Sequence, residues 1–251
     1  MSLLQTVQKT KKKKPRRMVI MGGAGWGKST LCAQRTPDPV FIQTEDGLSD
    51  IDTHAFPLAR TLQEAWAPLM ELSGSEEHDF KTVVIDSGDW LESLIHKAIC
   101  ESVNAESITD IDFGKGYAAA CDKFAQYLQS VDSCVAKGMN AIFIVHASIQ
   151  KFTPPDGESY DRYVPKLHMN SRGVGAGALL FEWADEVFYC TKEVFTKSVD
   201  EGFGNKRNVA VGGDKRLLYT TERPGCLAKN RLGLPGVIGL DEFEQIFTQG
   251  V

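Results

Sequence analysis

The chain has 251 residues, a net charge of −5 and 42% hydrophobic side chains, the composition of a soluble globular protein long enough to bury a sizeable core. No run approaches the ~18 apolar residues of a membrane span and the N-terminus lacks the apolar stretch of a secretory signal, so a cytoplasmic protein with no membrane partner is expected. Cys32, Cys100, Cys121, Cys134, Cys190 and Cys226 form no C-x-x-C pair and the five histidines are scattered, which excludes a sequence-encoded zinc site or disulfide framework and leaves the cysteines as small buried apolar residues.

The charge is unevenly placed along the chain. Residues 1–17 hold Lys9, Lys11, Lys12, Lys13, Lys14, Arg16 and Arg17 and no acid, which leaves −12 for the rest. Residues 1–16 read as a disordered basic arm, either a contact for a polyanion such as nucleic acid or a solubilising tail.

From Met18 onward, short apolar runs alternate with helical periodicity, the pattern of an α/β fold. Met18 to Met21 predicts a first buried strand, followed by a glycine-rich turn and a helix from Lys28 to Gln34. Val40 to Ile42 predicts a second strand. Thr61 is the expected N-cap of a helix with Leu62, Ala65, Trp66 and Leu69 on one stripe. Val83 to Ile85 is a third strand, and Trp90, Leu91, Leu94, Ile95, Ala98 and Ile99 continue with helical spacing. A long helix runs from Tyr117 to Ala136 and stops at Gly138, and Ala141 to Val145 is a fourth strand. Residues 151–177, with their prolines and glycines, read as a long loop. Glu186 to Cys190, Asn208 to Val211 and Leu217 to Thr220 predict further strands with hairpin-like connections, and a helix from Asp241 to Phe247 closes the chain. The expected fold is a mostly parallel central sheet with helices on both faces and an antiparallel extension at the C-terminal side.

Gly22-Gly23-Ala24-Gly25-Trp26-Gly27-Lys28-Ser29 fits G-x-x-x-x-G-K-[ST] in full, between a predicted strand and a predicted helix. Glycines let successive backbone N–H groups converge on phosphate oxygens, and the following helix, with Thr30 in its first turn, presents its positive end to the same anion. Lys28 supplies a mobile full charge, and the Ser29 hydroxyl suits Mg²⁺. Trp26 either packs on the domain or touches the nucleotide, and packing is the favoured reading. Asp86 ends the apolar strand Thr82 to Ile85 and is the expected acceptor for Mg²⁺-bound water or for Ser29.

Three further places refine the class. Phe41-Ile42-Gln43-Thr44-Glu45-Asp46 puts acids past the second strand, Ile142 to His146 puts a polar residue at the tip of the fourth, and Lys229-Asn230-Arg231 sets two cations beside a turn. This set resembles the RecA-like ATPases, including the DnaB-type helicases. The closer resemblance is to compact phage-type RecA-like proteins of single-strand annealing and recombination, carried by Tyr160 to His168, Glu182-Trp183-Ala184-Asp185 and Ala228-Lys229-Asn230-Arg231. It implies an ATPase domain over residues 17–251, with ATP and Mg²⁺ as cofactors. It implies that Glu45 activates water, that His146 senses the γ-phosphate, and that Lys229 and Arg231 reach a neighbouring subunit's nucleotide. It further implies self-association into a ring or filament with ATP at the interface, single-stranded DNA and a single-strand DNA-binding protein as partners, and a host bacterial cytoplasm if the protein is phage-encoded. Glu45 follows Lys28 by only 17 positions, fewer than in RecA, which leaves water activation between Glu45 and Asp46. The N-terminal arm and the Lys151 to Arg172 segment, with Phe152, Tyr160 and Tyr163, are the expected DNA contacts. Two competing readings are a nucleotide-regulated interaction protein with little turnover and a P-loop small-molecule kinase.

Overall fold

The computed structural model describes residues 7, 14–75, 77–170, 173–200 and 206–248. Lys9 and Lys11 to Lys13, and with them nearly all of the arm expected over residues 1–16, lie outside the described residues. Six strands form a parallel core: β1 (Arg17–Gly22), β2 (Pro39–Gln43), β3 (His54–Ala55), β4 (Thr82–Asp86), β5 (Asn140–Phe152) and, after the short β6 (Tyr160–Pro165), β7 (Glu186–Asp200). Their order across the sheet is β7-β1-β5-β4-β2-β3, with all neighbours parallel. Beyond β7 the sheet turns antiparallel, through β8 (Lys206–Tyr219) to β10 (Val237–Ile238), while β9 (Lys229–Asn230) pairs with the start of β7. The fold expected from the sequence is present.

Strand side chains alternate between faces, and each face has its own core. Met18, Ile20, Phe41, Val84, Ile142, Ile144 and Phe188 pack with Leu31 of α1 (Lys28–Arg35) and with Phe243 and Ile246 of α6 (Leu240–Thr248). Val19, Met21, Val40, Ile42, Val83, Ile85 and Phe143 face the other helical layer: α2 (Leu62–Gly74), α3 (Gly88–Val103), α4 (Lys115–Ala136) and α5 (Ala176–Trp183). Central strands apolar on both faces are what a doubly covered parallel sheet requires. The Thr61 side chain caps α2 by accepting from the Glu64 N–H at 3.2 Å. The buried stripe of α4 is Phe124, Tyr127, Leu128, Val131 and Cys134. All six cysteines are unbridged, and five of them are buried.

Two expectations are corrected. Residues 151–177 are not one long loop: β5 runs past its parallel partners to Phe152 and turns back as β6, pairing Ala147 with Pro165 through Phe152 with Tyr160, and α5 begins at Ala176. The two short strands expected at Asn208 and Leu217 are one strand, β8, paired along nearly all of β7 with an irregularity at Lys192 and Val194. Arg17 opens β1, bonds Asp185 at 3.2 Å and sits 5.5 Å from the centroid of the Trp183 ring.

Glu186 opens β7 with its side chain fully buried, and among the described residues neither carboxylate oxygen finds a hydrogen-bond donor. Arg16 stands 3.9 Å away. Burial pushes the carboxyl up from 4.5 to about 7. The folded state therefore holds this proton more tightly than the unfolded chain does. The stabilisation is complete below pH 4.5 and is lost as the pH rises to about 7. At ~1.4 kcal/mol per unit, Glu186→Gln should gain about 2 to 3 kcal/mol on the native chain between about pH 5 and about pH 8. Urea unfolding at the two pH values measures the change, and a constant difference would refute a titrating Glu186.

Candidate nucleotide site

The P-loop leaves the end of β1 and enters α1. Gly22 is needed for close approach: a Cβ there would fall 2.8 Å from both Cβ and the carbonyl oxygen of Cys190 on β7. Gly27 has φ +95° as the N-cap of α1, a left-handed conformation that favours glycine. Trp26 is buried, and its indole N–H donates to the Thr191 carbonyl at 2.7 Å. This ties the loop to β7 and makes Trp26 a packing residue. The Lys28 ammonium, 6% exposed, donates to the carbonyls of Gly23 at 2.9 Å and Gly22 at 3.2 Å. Burial lowers its pKa, against the pull of nearby acids that include Asp86, Asp89 and Glu45.

Opposite the loop stand the ends of β2, β4 and β5. The Ser29 hydroxyl donates to Asp86 Oδ2 at 2.6 Å. Burial raises the Asp86 pKa, and the bond from Ser29 works against that rise. The end of β2 is clamped to the end of β4. The Thr44 and Glu45 N–H groups both donate to the Asp86 carbonyl, and the Thr44 hydroxyl takes the Ser87 N–H at 2.8 Å while donating to the Ser87 carbonyl at 2.7 Å. Glu45 is thereby aimed inward, with Oε2 accepting from the Ser87 hydroxyl at 3.1 Å. His146 sits at the point where β5 leaves its parallel neighbours. Its Nδ1 lies 3.0 and 3.2 Å from the two Asp89 oxygens, its backbone N–H donates to Asp89 Oδ1 at 3.1 Å, and Glu45 Oε2 is 3.9 Å from Nδ1. The bond to Asp89 raises the His146 pKa against the effect of burial. Burial would raise that of Asp89, but its bonds with His146 and Ser87 bring it below the usual range.

These groups close around one cavity of about 260 Å³, lined among others by Ala24, Gly25, Gly27, Lys28, Ser29, Thr30, Glu45, Asp86 and His146. It lies at the carboxyl ends of parallel strands, where ligands of open α/β sheets bind. A larger groove of about 580 Å³ runs along α2 between Phe56 and Glu71, but it holds none of these groups, and size alone does not mark a site. Among the described residues no group of three or more His, Cys, Asp or Glu could hold a metal by itself. The Ser29 and Asp86 oxygens do suit Mg²⁺, which takes few protein ligands and fills the rest of its shell with phosphate oxygens and water. Ser87, Thr44 and Asp89 were missed in the sequence. Their signal was position: Ser87 and Asp89 lie one and three residues past Asp86.

Lys229 and Arg231 are not brought to this cavity. β9 pairs Asn230 with Glu186 and Lys229 with Val187, and Glu186 lies beside Met18 at the start of β1, the end of the sheet away from the P-loop. The Lys229 ammonium donates to the carbonyls of Phe181, Glu182 and Ala184 at 2.9, 3.1 and 2.7 Å. Within the chain its three donors are spent on the end of α5, where Lys229 acts as a helix cap. Arg231 is half-exposed and paired with Asp185 at 2.9 Å. The Lys151 to Arg172 segment includes the end of β5 and all of β6, which pair as a ribbon. Lys151 faces Asp161, and Arg162 pairs with Glu222 and lies 4.0 Å from the Phe152 ring centroid. Residues 171 and 172 lie outside the described residues.

No helix among the described residues is long and apolar enough to cross a membrane. No curated protein matches the chain. The model of a protein family described as an AAA domain matches residues 14–232, a span that runs from before β1 through β9 and takes in every residue of the cavity. The strand-loop-helix of the P-loop, the Ser29–Asp86 contact and this match make the chain a member of the AAA-domain family, within the P-loop NTPases.

Proposed function

We propose that the protein is a Mg²⁺-dependent, RecA-like ATPase acting in the cytoplasm on single-stranded DNA, in phage-type recombination, annealing or replication. The observation that supports turnover is the meeting of Lys28, Ser29, Asp86, Glu45 and His146 around one cavity. The P-loop N–H groups and Lys28 would hold the β- and γ-phosphates. Ser29 and Asp86 would hold Mg²⁺, which supplies charge neutralisation between the phosphates. Glu45, pinned by Ser87, would orient the attacking water and take its proton. His146, oriented by Asp89, which also favours its protonated form, would donate to the γ-phosphate. Arg231, away from its own chain's cavity, would act on a neighbour's nucleotide in a ring or filament.

The DNA reading draws on the basic residues of 1–17 and on two ribbons, β5–β6 and β7–β8, that run past the P-loop end of the parallel strands. A single-strand DNA-binding protein would be the companion partner. The −12 charge of the remaining chain favours a second reading, a nucleotide-regulated interaction protein with little turnover. One experiment separates them: ATPase rate against single-stranded DNA concentration, with the assembly mass measured with and without ATP. Stimulation that weakens steeply with salt, as released counterions require, and a larger mass with ATP are the expected results. A flat, negligible rate with tight ATP binding supports the second reading.

A further inference from the structure

We infer that a second cavity beside Arg216 receives the base and ribose of the nucleotide, with the Arg216 guanidinium stacked on the base. The inference rests on the nucleotide reading of the P-loop. The first cavity, about 260 Å³, is built for phosphate and metal. A nucleoside triphosphate also brings a planar base and a sugar, and these need a roomier, partly apolar place within reach of the phosphate chain.

Such a place exists one side chain away. A cavity of about 520 Å³ is lined on its apolar side by Leu217 of β8, Val237 and Ile238 of β10 and Leu240 at the start of α6, and on its polar side by Arg216 and Lys215 of β8, Arg35 at the end of α1, and Asp241 and Glu242 of α6. Arg216 joins it to the P-loop: a Cβ on Gly27 would fall 2.8 Å from Arg216 Nη1. Gly27 also lines the phosphate cavity, so the guanidinium stands at the boundary between the two. Its carbon lies 5.9 Å from the centroid of the Trp26 ring, and Trp26 is fixed from below by its bond to Thr191. Among the described residues Arg216 makes no ion pair, and its cross-strand partner is another cation, Lys192. Cations directly opposite each other are unfavourable, so the pairing itself gives Arg216 no reason to be there. An exposed guanidinium backed by an indole offers its free face to a further π-system. Leu217, Val237 and Leu240 supply the apolar wall that a base requires. Lys28 already serves the phosphates, and Arg216 is absent from the lining of their cavity.

The test compares MgATP with magnesium tripolyphosphate, which has the phosphates and neither base nor sugar, by calorimetric titration of the full chain. Arg216→Ala should weaken ATP binding about tenfold, the worth of one stacked base, and leave tripolyphosphate within about twofold of the native chain. Arg216→Lys keeps the charge without the plane and should not restore ATP affinity. Lys28→Ala should weaken both ligands. Unchanged ATP affinity in Arg216→Ala, equal loss of both ligands, or full rescue by lysine would each overturn the assignment. A native chain that binds neither ligand would overturn the nucleotide reading itself.

Discussion

Lys28→Ala is expected to reduce ATP turnover by at least about 10²- to 10³-fold, the cost of removing one aligned donor from a site of developing charge, while the chain stays folded. The fold asks little of this side chain. Its ammonium bonds only the Gly22 and Gly23 carbonyls of its own loop, and the carboxylates around it, Asp86, Asp89 and Glu45, already have Ser29, His146 and Ser87 as partners. Its removal therefore leaves no buried acid unpaired. The binding site depends on it far more. Two acids, Glu45 and Asp86, line the cavity, and a triphosphate adds further negative charge, so the Lys28 cation is needed to make the anion welcome. ATPase rates and ATP titration measure the loss, with circular dichroism reporting the fold. A wild-type rate in a folded Lys28→Ala protein would exclude the P-loop as the working site.

The P-loop and the end of β4 were readable because their chemistry is local. A strand, a glycine turn and a Lys-Ser pair follow in unbroken order, and Asp86 ends a run of four residues that are buried in the sheet. The parallel strands were readable because central strands are apolar on both faces. α5 escaped because Ala-Gly-Ala-Leu-Leu-Phe-Glu-Trp has no polar face to set a period, and because glycines crowd its start. The second halves of β5 and β7 escaped for a different reason. They run past their parallel neighbours, gain exposed residues such as Ile149 and Val194, and are held by pairing with β6 and β8, which no local pattern announces. Lys229 and Arg231 were singled out on a resemblance, and no local pattern announces that they stand at the end of the sheet away from the P-loop. Lys229 lies in β9 and Arg231 just past it, their partners are the end of α5 and Asp185, and the lysine's donors are consumed within the chain. Asp89 reads in sequence as an acid of a helix first turn. Only the adjacency of β4 and β5 turns it toward His146.

Glu45→Gln is expected to slow hydrolysis by about 10²- to 10⁴-fold, the range for a positioned general base, with ATP affinity nearly unchanged. The same experiment on Asp46→Asn decides between the two acids that the sequence left open. The backbone N–H of Glu45 is tied to the Asp86 carbonyl, its carboxylate is held by Ser87 and stands 3.9 Å from His146, and it lines the phosphate cavity. Asp46 is exposed and lines none of that cavity. Glutamine preserves the size of Glu45 and can still accept from the Ser87 hydroxyl, so the loop should keep its shape. What it loses is the ability to take a proton from water. Binding and turnover should therefore separate in Glu45→Gln, and Asp46→Asn should retain most of the native rate. Single-turnover hydrolysis of MgATP, alongside equilibrium binding, gives both quantities. If Asp46→Asn abolishes hydrolysis while Glu45→Gln leaves it intact, the pinned geometry of Glu45 serves the β2–β4 clamp and the base is its neighbour. If both variants hydrolyse ATP at the native rate, neither acid at the end of β2 activates water.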